Sequence, residues 1–309
     1  MPEFDLPTPV LLTFIGIGAV LMAATLIELT ARERLPQDVR PRLKAWWGMV
    51  AIYGAAALLG RTASIVLIAF TSFLALKEYL TLIPTRRADR AVLLLAYLAI
   101  PLQFYWVAIG WYGMFIIFVP VYMLLLLPVP MLLIGETGGF LKAIGTLHWG
   151  LMTCLFSLGH AAYLLVLPPL PGAPAGGPGL LLFLLVLTEA NDVAQYCWGK
   201  LFGRRKIIPK VSPNKTAEGF IGGVVTTAAL AIGLAPLLTP FDLPRAVAAG
   251  LGIGIAGFVG DVVISAVKRD LGIKDTGALL PGHGGMLDRL DSLTYTAPLF
   301  FHAVWYGYY

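Results

Sequence analysis

Apolar residues gather into repeated runs near 20 residues long, separated by short polar connections. That is about the length a helix needs to cross a bilayer. The pattern predicts ten spans, at about 9–29, 45–60, 62–82, 91–109, 111–134, 145–167, 180–199, 219–238, 246–267 and 293–309. The second is short and is separated from the third only by Gly60 and Arg61, which predicts a tight helical hairpin. The fifth carries Pro120, Pro128 and Pro130, so it is expected to kink or end early. The first follows Glu3 and Asp5 rather than a basic stretch, which favours a retained span over a cleaved signal. The uncharged, Pro- and Gly-rich stretch from Pro168 to Gly179 reads as an outer loop. There is no internal repeat and no soluble domain. The fold expected is all-α and polytopic, with about ten spans and a cytoplasm-facing polar cavity in the C-terminal half. Residues 1–179 are expected to form a transmembrane scaffold, and 180–309 the catalytic region.

Composition agrees. The 309 residues are 58% hydrophobic and 13% charged, where a soluble domain carries about 25% charged residues. Mean hydropathy is +0.83. The net charge of +5 does not indicate nucleic-acid binding, because the basic residues lie between apolar runs. With the N-terminus outside, all but Arg61 and Arg245 of the 22 Lys and Arg fall on one side, which marks that side as cytoplasmic. A wrong span count would scramble this asymmetry. Cys154 and Cys197 show no CxxC spacing, so neither a zinc site nor a disulfide framework is suggested.

Polar chemistry is concentrated in three clusters after residue 188. In the first, Glu189, Asp192, Gln195 and Tyr196 share one face of a helix, with Asn191 beside them. A carboxylate in lipid costs about 2.5–3.5 kcal/mol on insertion scales, so such groups face a cavity or a partner. The blander alternative is carboxylates neutralised by neighbouring helices. The second cluster is the connection from Lys200 to Gly223, with Arg204, Arg205, Lys206, Lys210, Ser212, Pro213 and Lys215. Ser212 and Pro213 suit the N-cap and first position of the eighth helix, with Lys215 in its first turn, where free N–H groups favour a phosphate. An ordinary cap beside a positive-inside loop would look the same. The glycines of a Walker A loop are missing before Lys215 and Thr216.

The third cluster contains Asp261, Ser265, Lys268, Arg269, Lys274, Asp275, Pro281, His283, Gly284, Gly285, Asp288, Arg289 and Asp291. Asp261, Ser265 and Lys268 share a helical face. Carboxylates suit a hard cation such as Mg²⁺, and Lys268, Arg269, Lys274 and Arg289 could complete a phosphate clamp. A self-neutralising solvated loop is the alternative. Asp261 resists that reading, because Val259, Val262, Val263 and Ile264 surround it in sequence.

The segment 265–291 resembles the signature of the phosphatidate cytidylyltransferase (CDP-diacylglycerol synthase) family. That pattern is S-x-hydrophobic-K-R, four residues, K-D, a small residue, P-x-H-G-G and D-R-x-D, and it is met here without a gap. Ser212-Pro213, Lys215-Thr216, Glu218-Gly219 and Gly222-Gly223 also resemble the family, so the likeness spans roughly 189–291. Gln195 stands where the family usually has Ala before Tyr196. The resemblance implies transfer of CMP from CTP to phosphatidate, giving CDP-diacylglycerol and pyrophosphate with Mg²⁺. It implies Asp261 and Asp288 as metal ligands and Lys268, Arg269, Asp288 and His283 as catalytic residues. Ser212, Lys215, Lys274, Arg289, Asp192 and Asn191 would bind substrate. The expected partners are CTP, a lipid phosphate and membrane lipid, with a second copy of the chain as an open option. The expected location is a prokaryotic inner membrane, with the site on its cytoplasmic side. Three rival readings are a different lipid phosphate, a CTP-dependent polyprenol kinase, and an ion-coupled transporter using Glu189, Asp192 and Asp261. The last leaves the His283-Gly284-Gly285 loop unexplained, and the halves lack the symmetry it predicts.

Overall fold

In the computed structural model, residues 6–31, 39–84, 90–277 and 284–309 are described. Each apolar run falls on helix: α1 (Thr8–Thr30), α2 (Val39–Leu59), α3 (Arg61–Leu82), α4 (Arg90–Ala108), α5 (Tyr112–Leu133), α6 (Phe140–Val166), α7 (Gly176–Phe202), α8 (Ala217–Leu238), α9 (Leu243–Asp270) and α11 (Leu293–Tyr308). A single turn, α10 (Leu287–Leu290), precedes the last of them. Among the described residues, seven helices are long and apolar enough to cross a membrane: α1, α3 and α5 to α9. The other three runs lie on α2, which begins at Val39 with Arg40, Arg42 and Lys44 in its first turns, on α4, and on the 16-residue α11. α2 and α3 meet at Gly60, whose φ of 105° makes the abrupt reversal possible.

The disturbance expected in α5 takes the form of a π-helical stretch, Phe118–Met123, around Pro120. α6 contains a second, Met152–Phe156, which the sequence does not announce. Carbonyls loosened in or next to such stretches need partners where water is absent. Gln103 on α4 donates to the Phe115 carbonyl at 3.0 Å, and Ser72 on α3 to the Cys154 carbonyl at 2.5 Å. The two polar side chains thus tie α4 to α5 and α3 to α6.

The C-terminal half packs as a bundle of α7, α8, α9 and α11, with the most extensive contact between α7 and α8. Small residues let the backbones approach closely, as they do where van der Waals packing replaces the hydrophobic effect. Gly254 lies against Val224, and Gly260 lies against the Asp291 carbonyl and Ser292. A Cβ at Gly260 would collide with that carbonyl, so the glycine sets the spacing between α9 and the start of α11. Asn191, fully buried on α7, donates to the Gly254 carbonyl at 3.3 Å and accepts from Thr227 at 3.2 Å.

One local expectation is corrected. Ser212 and Pro213 do not cap α8; Thr216 does, accepting the Gly219 N–H at 3.1 Å, and the helix begins at Ala217. The cause is a short antiparallel pairing in which Ile207 N–H donates to Lys215 O and Ala217 N–H to Arg205 O. This keeps 206–216 as a loop, with Ser212 in a turn inside it, and leaves Lys215 just outside the helix.

Replacing Gly260 by Val should destabilise the bundle by about 1–3 kcal/mol through overpacking. Gly252, with open space around it, should accept Val at little cost. Melting curves in detergent compare the two, and equal melting temperatures would refute the close-approach role of Gly260.

Candidate active site

The acidic residues of α7 and α9 and the loop before α11 converge on one chamber. A cavity of about 200 Å³ is lined by Glu189 and Asp192 of α7, Asp261 and Lys268 of α9, Asp275, Asp288 and Arg289 of α10, and Asp291. Helical spacing explains the first two pairs, since i and i+3 or i+7 share a face. α10 brings in Asp288 and Arg289, with Asp291 just past its end, and Asp275 enters from the segment that follows α9.

Two ammonium groups hold this acidity together. Lys215 reaches in from the loop to Asp261 at 2.5 Å and donates to Gln195 Oε1 at 3.0 Å. Burial opposes the charge on Lys215, but the Asp261 and Asp192 carboxylates outweigh it and hold its pKa above the usual lysine value. Asp261 also accepts the Ser265 hydroxyl at 3.3 Å. Lys268 contacts Asp288 Oδ1 at 2.7 Å. The other oxygen of Asp288 accepts the Thr276 N–H at 2.7 Å, the Thr276 hydroxyl at 3.0 Å and the Gly285 N–H at 3.0 Å. Burial pushes the Asp288 carboxyl up, yet Lys268 and those N–H groups prevail and leave it below its ordinary range.

The remaining acids are less well compensated. Asp192 accepts the Ser292 hydroxyl at 3.0 Å, and Asp291 its neighbour's N–H at 2.7 Å. Burial first, then the Asp261 and Asp192 carboxylates, push the Asp291 carboxyl well above its usual value. Arg289 carries a buried Nε with no hydrogen-bond partner among the described residues. Six carboxylates thus line the chamber against Lys268 and Arg289 of its wall, with Lys215 behind Asp261. The surplus is negative and all donors are oxygen, which suits a hard cation. Among the described residues, however, no three acidic, His or Cys side chains are placed closely enough to grip an ion by themselves.

The other expected site residues lie elsewhere. Arg269 is exposed and donates to the backbone carbonyls of Val211 and Ile273, at 3.1 and 3.3 Å, so it braces the two loops rather than lining the chamber. Lys274 is exposed and Ser212 half-buried, both outside the lining. Asn191 faces the α8–α9 contact instead. His283 lies outside the described residues. Glu78 of α3 was not singled out by the sequence: its carboxylate accepts the N–H groups of Met286 and Leu287 at 2.9 and 2.8 Å. The signal available was one acidic residue inside an apolar run.

Comparison with known proteins points the same way as this geometry. The cytidylyltransferase family model matches residues 40–307. A protein of Escherichia coli (strain K12), described as uncharacterized protein YnbB, is 46% identical over 295 residues, covering 94% of this chain and 97% of its own. A phosphatidate cytidylyltransferase of Haemophilus influenzae is 39% identical over 132 residues, 41% of this chain and 46% of its own. One of Mycobacterium leprae is 42% identical over 120 residues, 39% and 38% of the two chains. These two relatives, which carry the activity in their names, therefore match less than half of either chain.

Lys268 and Asp288 should behave as a coupled pair. A double-mutant cycle of Lys268→Met and Asp288→Asn, read from melting in detergent, should return a coupling of about 0.5–3 kcal/mol. Additive single effects would mean that the contact contributes nothing to stability.

Proposed function

The chain belongs to the cytidylyltransferase family, and from that premise we propose that it transfers CMP from CTP to phosphatidate, giving CDP-diacylglycerol and pyrophosphate. The observation that carries the reading is the chamber itself. It combines lysines held in place by carboxylates, one arginine with an N–H unpaired among the described residues, and a surplus of oxygen donors. A lipid phosphate oxygen forms a bond to the α-phosphorus of CTP. The bond from that phosphorus to the bridging oxygen breaks, and pyrophosphate leaves with the electron pair. The attacking oxygen is already ionised at neutral pH, so no Ser, Cys or His nucleophile is required, and positioning with charge neutralisation supplies the catalysis.

In this reading Lys215, Lys268 and Arg289 bind phosphate oxygens. Asp288 keeps Lys268 at the chamber wall until the triphosphate arrives, and Asp261 keeps Lys215 within reach of it. Asp261 and Asp288 would hold Mg²⁺, with Asp192 beside them. The ion supplies stabilisation of charge on the α-phosphate and the departing pyrophosphate. Two or three carboxylates would suffice for this, because Mg²⁺ takes few protein groups. Arg269 contributes by joining the 211 and 273 loops. Ser212 and Lys274 would meet substrate only as it enters, and His283 belongs to the same proposal. The asymmetry of Lys and Arg supports a chamber on the cytoplasmic side; in this reading the membrane is a prokaryotic inner membrane, CTP enters from water and the acyl chains stay in lipid.

A different lipid phosphate as acceptor is favoured by two observations. The matches to named phosphatidate cytidylyltransferases cover about two fifths of the chain, and Gln195, which stands where the family usually has Ala, accepts from Lys215.

Purified protein in detergent, given CTP labelled in the cytidine, Mg²⁺ and a panel of lipid phosphates, should move label into the lipid fraction and release pyrophosphate. CDP formed without lipid-bound cytidine would indicate a kinase and end the proposal. Asp261→Asn and Asp288→Asn should each cut turnover at least about a hundredfold with membrane insertion unchanged, and near-normal activity in either would remove it from the metal assignment. Arg204→Ala should cost less than Lys268→Ala, since Arg204 is exposed outside the chamber.

A further inference from the structure

Glu78 belongs to the half of the chain that carries none of the signature, yet it touches the signature at both ends of its glycine-rich loop. Its Oε1 accepts the Met286 N–H at 2.9 Å, and its Oε2 accepts the Leu287 N–H at 2.8 Å and the Thr276 hydroxyl at 3.1 Å. The two backbone donors are consecutive and open the turn that carries Asp288 and Arg289. Thr276, from the other flank, gives Asp288 its N–H and shares its hydroxyl between Asp288 and Glu78. Gly277 and Gly285 pack against the same carboxylate so tightly that a Cβ on either would strike it. The pocket around Glu78 is therefore shaped to a carboxylate and is filled by it.

We infer that Glu78 is a positioning residue for the transfer reaction, acting through Met286, Leu287 and Thr276 on Asp288 and Arg289. The inference rests on the reaction proposed above. Its physical basis is the direction of the bonds. Among the described residues all three partners of Glu78 are donors, and a carboxylate is an acceptor only. With Glu78 in place, the first N–H groups of α10 are satisfied, and the turn cannot rotate Asp288 or Arg289 out of the chamber without breaking charge-assisted bonds. The Thr276 hydroxyl has one proton and two carboxylates within reach, at 3.0 and 3.1 Å. When Lys268 turns from Asp288 towards a phosphate, that proton can serve Asp288 while Met286 and Leu287 still hold Glu78. The site can then change partners at Lys268 without releasing the loop. Glutamine has the same shape but would set an N–H against donors, whereas aspartate keeps the acceptor and falls one methylene short.

Glu78→Gln, Glu78→Asp and, as a neighbour control, Lys77→Ala serve as the test set. The readouts are hydrogen exchange across peptides spanning 284–292 and turnover per folded protein. Exchange should quicken in that segment alone in Glu78→Gln, with α7 to α9 and the melting temperature as in the unmodified chain. Turnover should fall at least about tenfold, as expected when buried donors lose their acceptor. Glu78→Asp should recover part of both, and Lys77→Ala should match the unmodified chain. Unchanged exchange in Glu78→Gln overturns the inference. So does quickened exchange throughout the protein with normal turnover in the folded fraction, which would make Glu78 a general anchor. If the unmodified chain transfers no CMP to any lipid phosphate, the proposed reaction fails instead, and local exchange still decides whether Glu78 fixes the turn.

Discussion

Carboxylates can be gathered among apolar helices only if ammonium groups, hydrogen-bond donors and water replace the solvent they give up. The chamber between α7, α9 and α10 meets that condition incompletely, and its chemistry follows from the shortfall. Lys215 and Lys268 each neutralise one acid at short range, Ser265, Thr276 and Ser292 donate hydroxyls, and the acids still outnumber the cations. The chamber is thus left with negative charge to spare.

The bundle exists to hold these groups at contact distance. α9 can bring Asp261 alongside Asp291 only because Gly260 lets it approach the chain at Asp291 and Ser292. α7 can present Asp192 to the chamber because Asn191, its neighbour, is spent on the contact with α8 and α9. Ser292 joins the two arrangements by sharing its one hydroxyl proton between Asp192 and the Gly257 carbonyl. The N-terminal helices are more than a support. Through Glu78, α3 grips the turn from which Asp288 and Arg289 project.

Much of this was legible in the sequence because each signal was local. Apolar runs near bilayer length identify helices without reference to any partner, and all ten runs fall on helix. Pro120 foretold the irregular α5, since a missing N–H disturbs a helix wherever it occurs. Glu189 and Asp192, and likewise Asp261 and Lys268, were placed on common faces by helical spacing alone, and the chamber contains all of them. Local signals also misled. Ser212-Pro213 has the chemistry of a helix start, but the pairing of 205–207 with 215–217 delays the helix to Ala217. Arg269 has the chemistry of a phosphate clamp, and what the sequence did not reveal is that two of its N–H groups go to backbone carbonyls outside the chamber.

The sequence by itself determined that this is a helical membrane protein of the cytidylyltransferase kind, and which stretch carries its acidic and basic residues. Length, hydropathy and motif spacing are properties of the chain and survive any folding. Only the tertiary structure decided who partners whom: Lys215 with Asp261, Lys268 with Asp288, and Glu78 with a turn more than half the chain away. Those choices depend on helix approach distances and on competition among donors for the same oxygens, and neither is written in the order of residues.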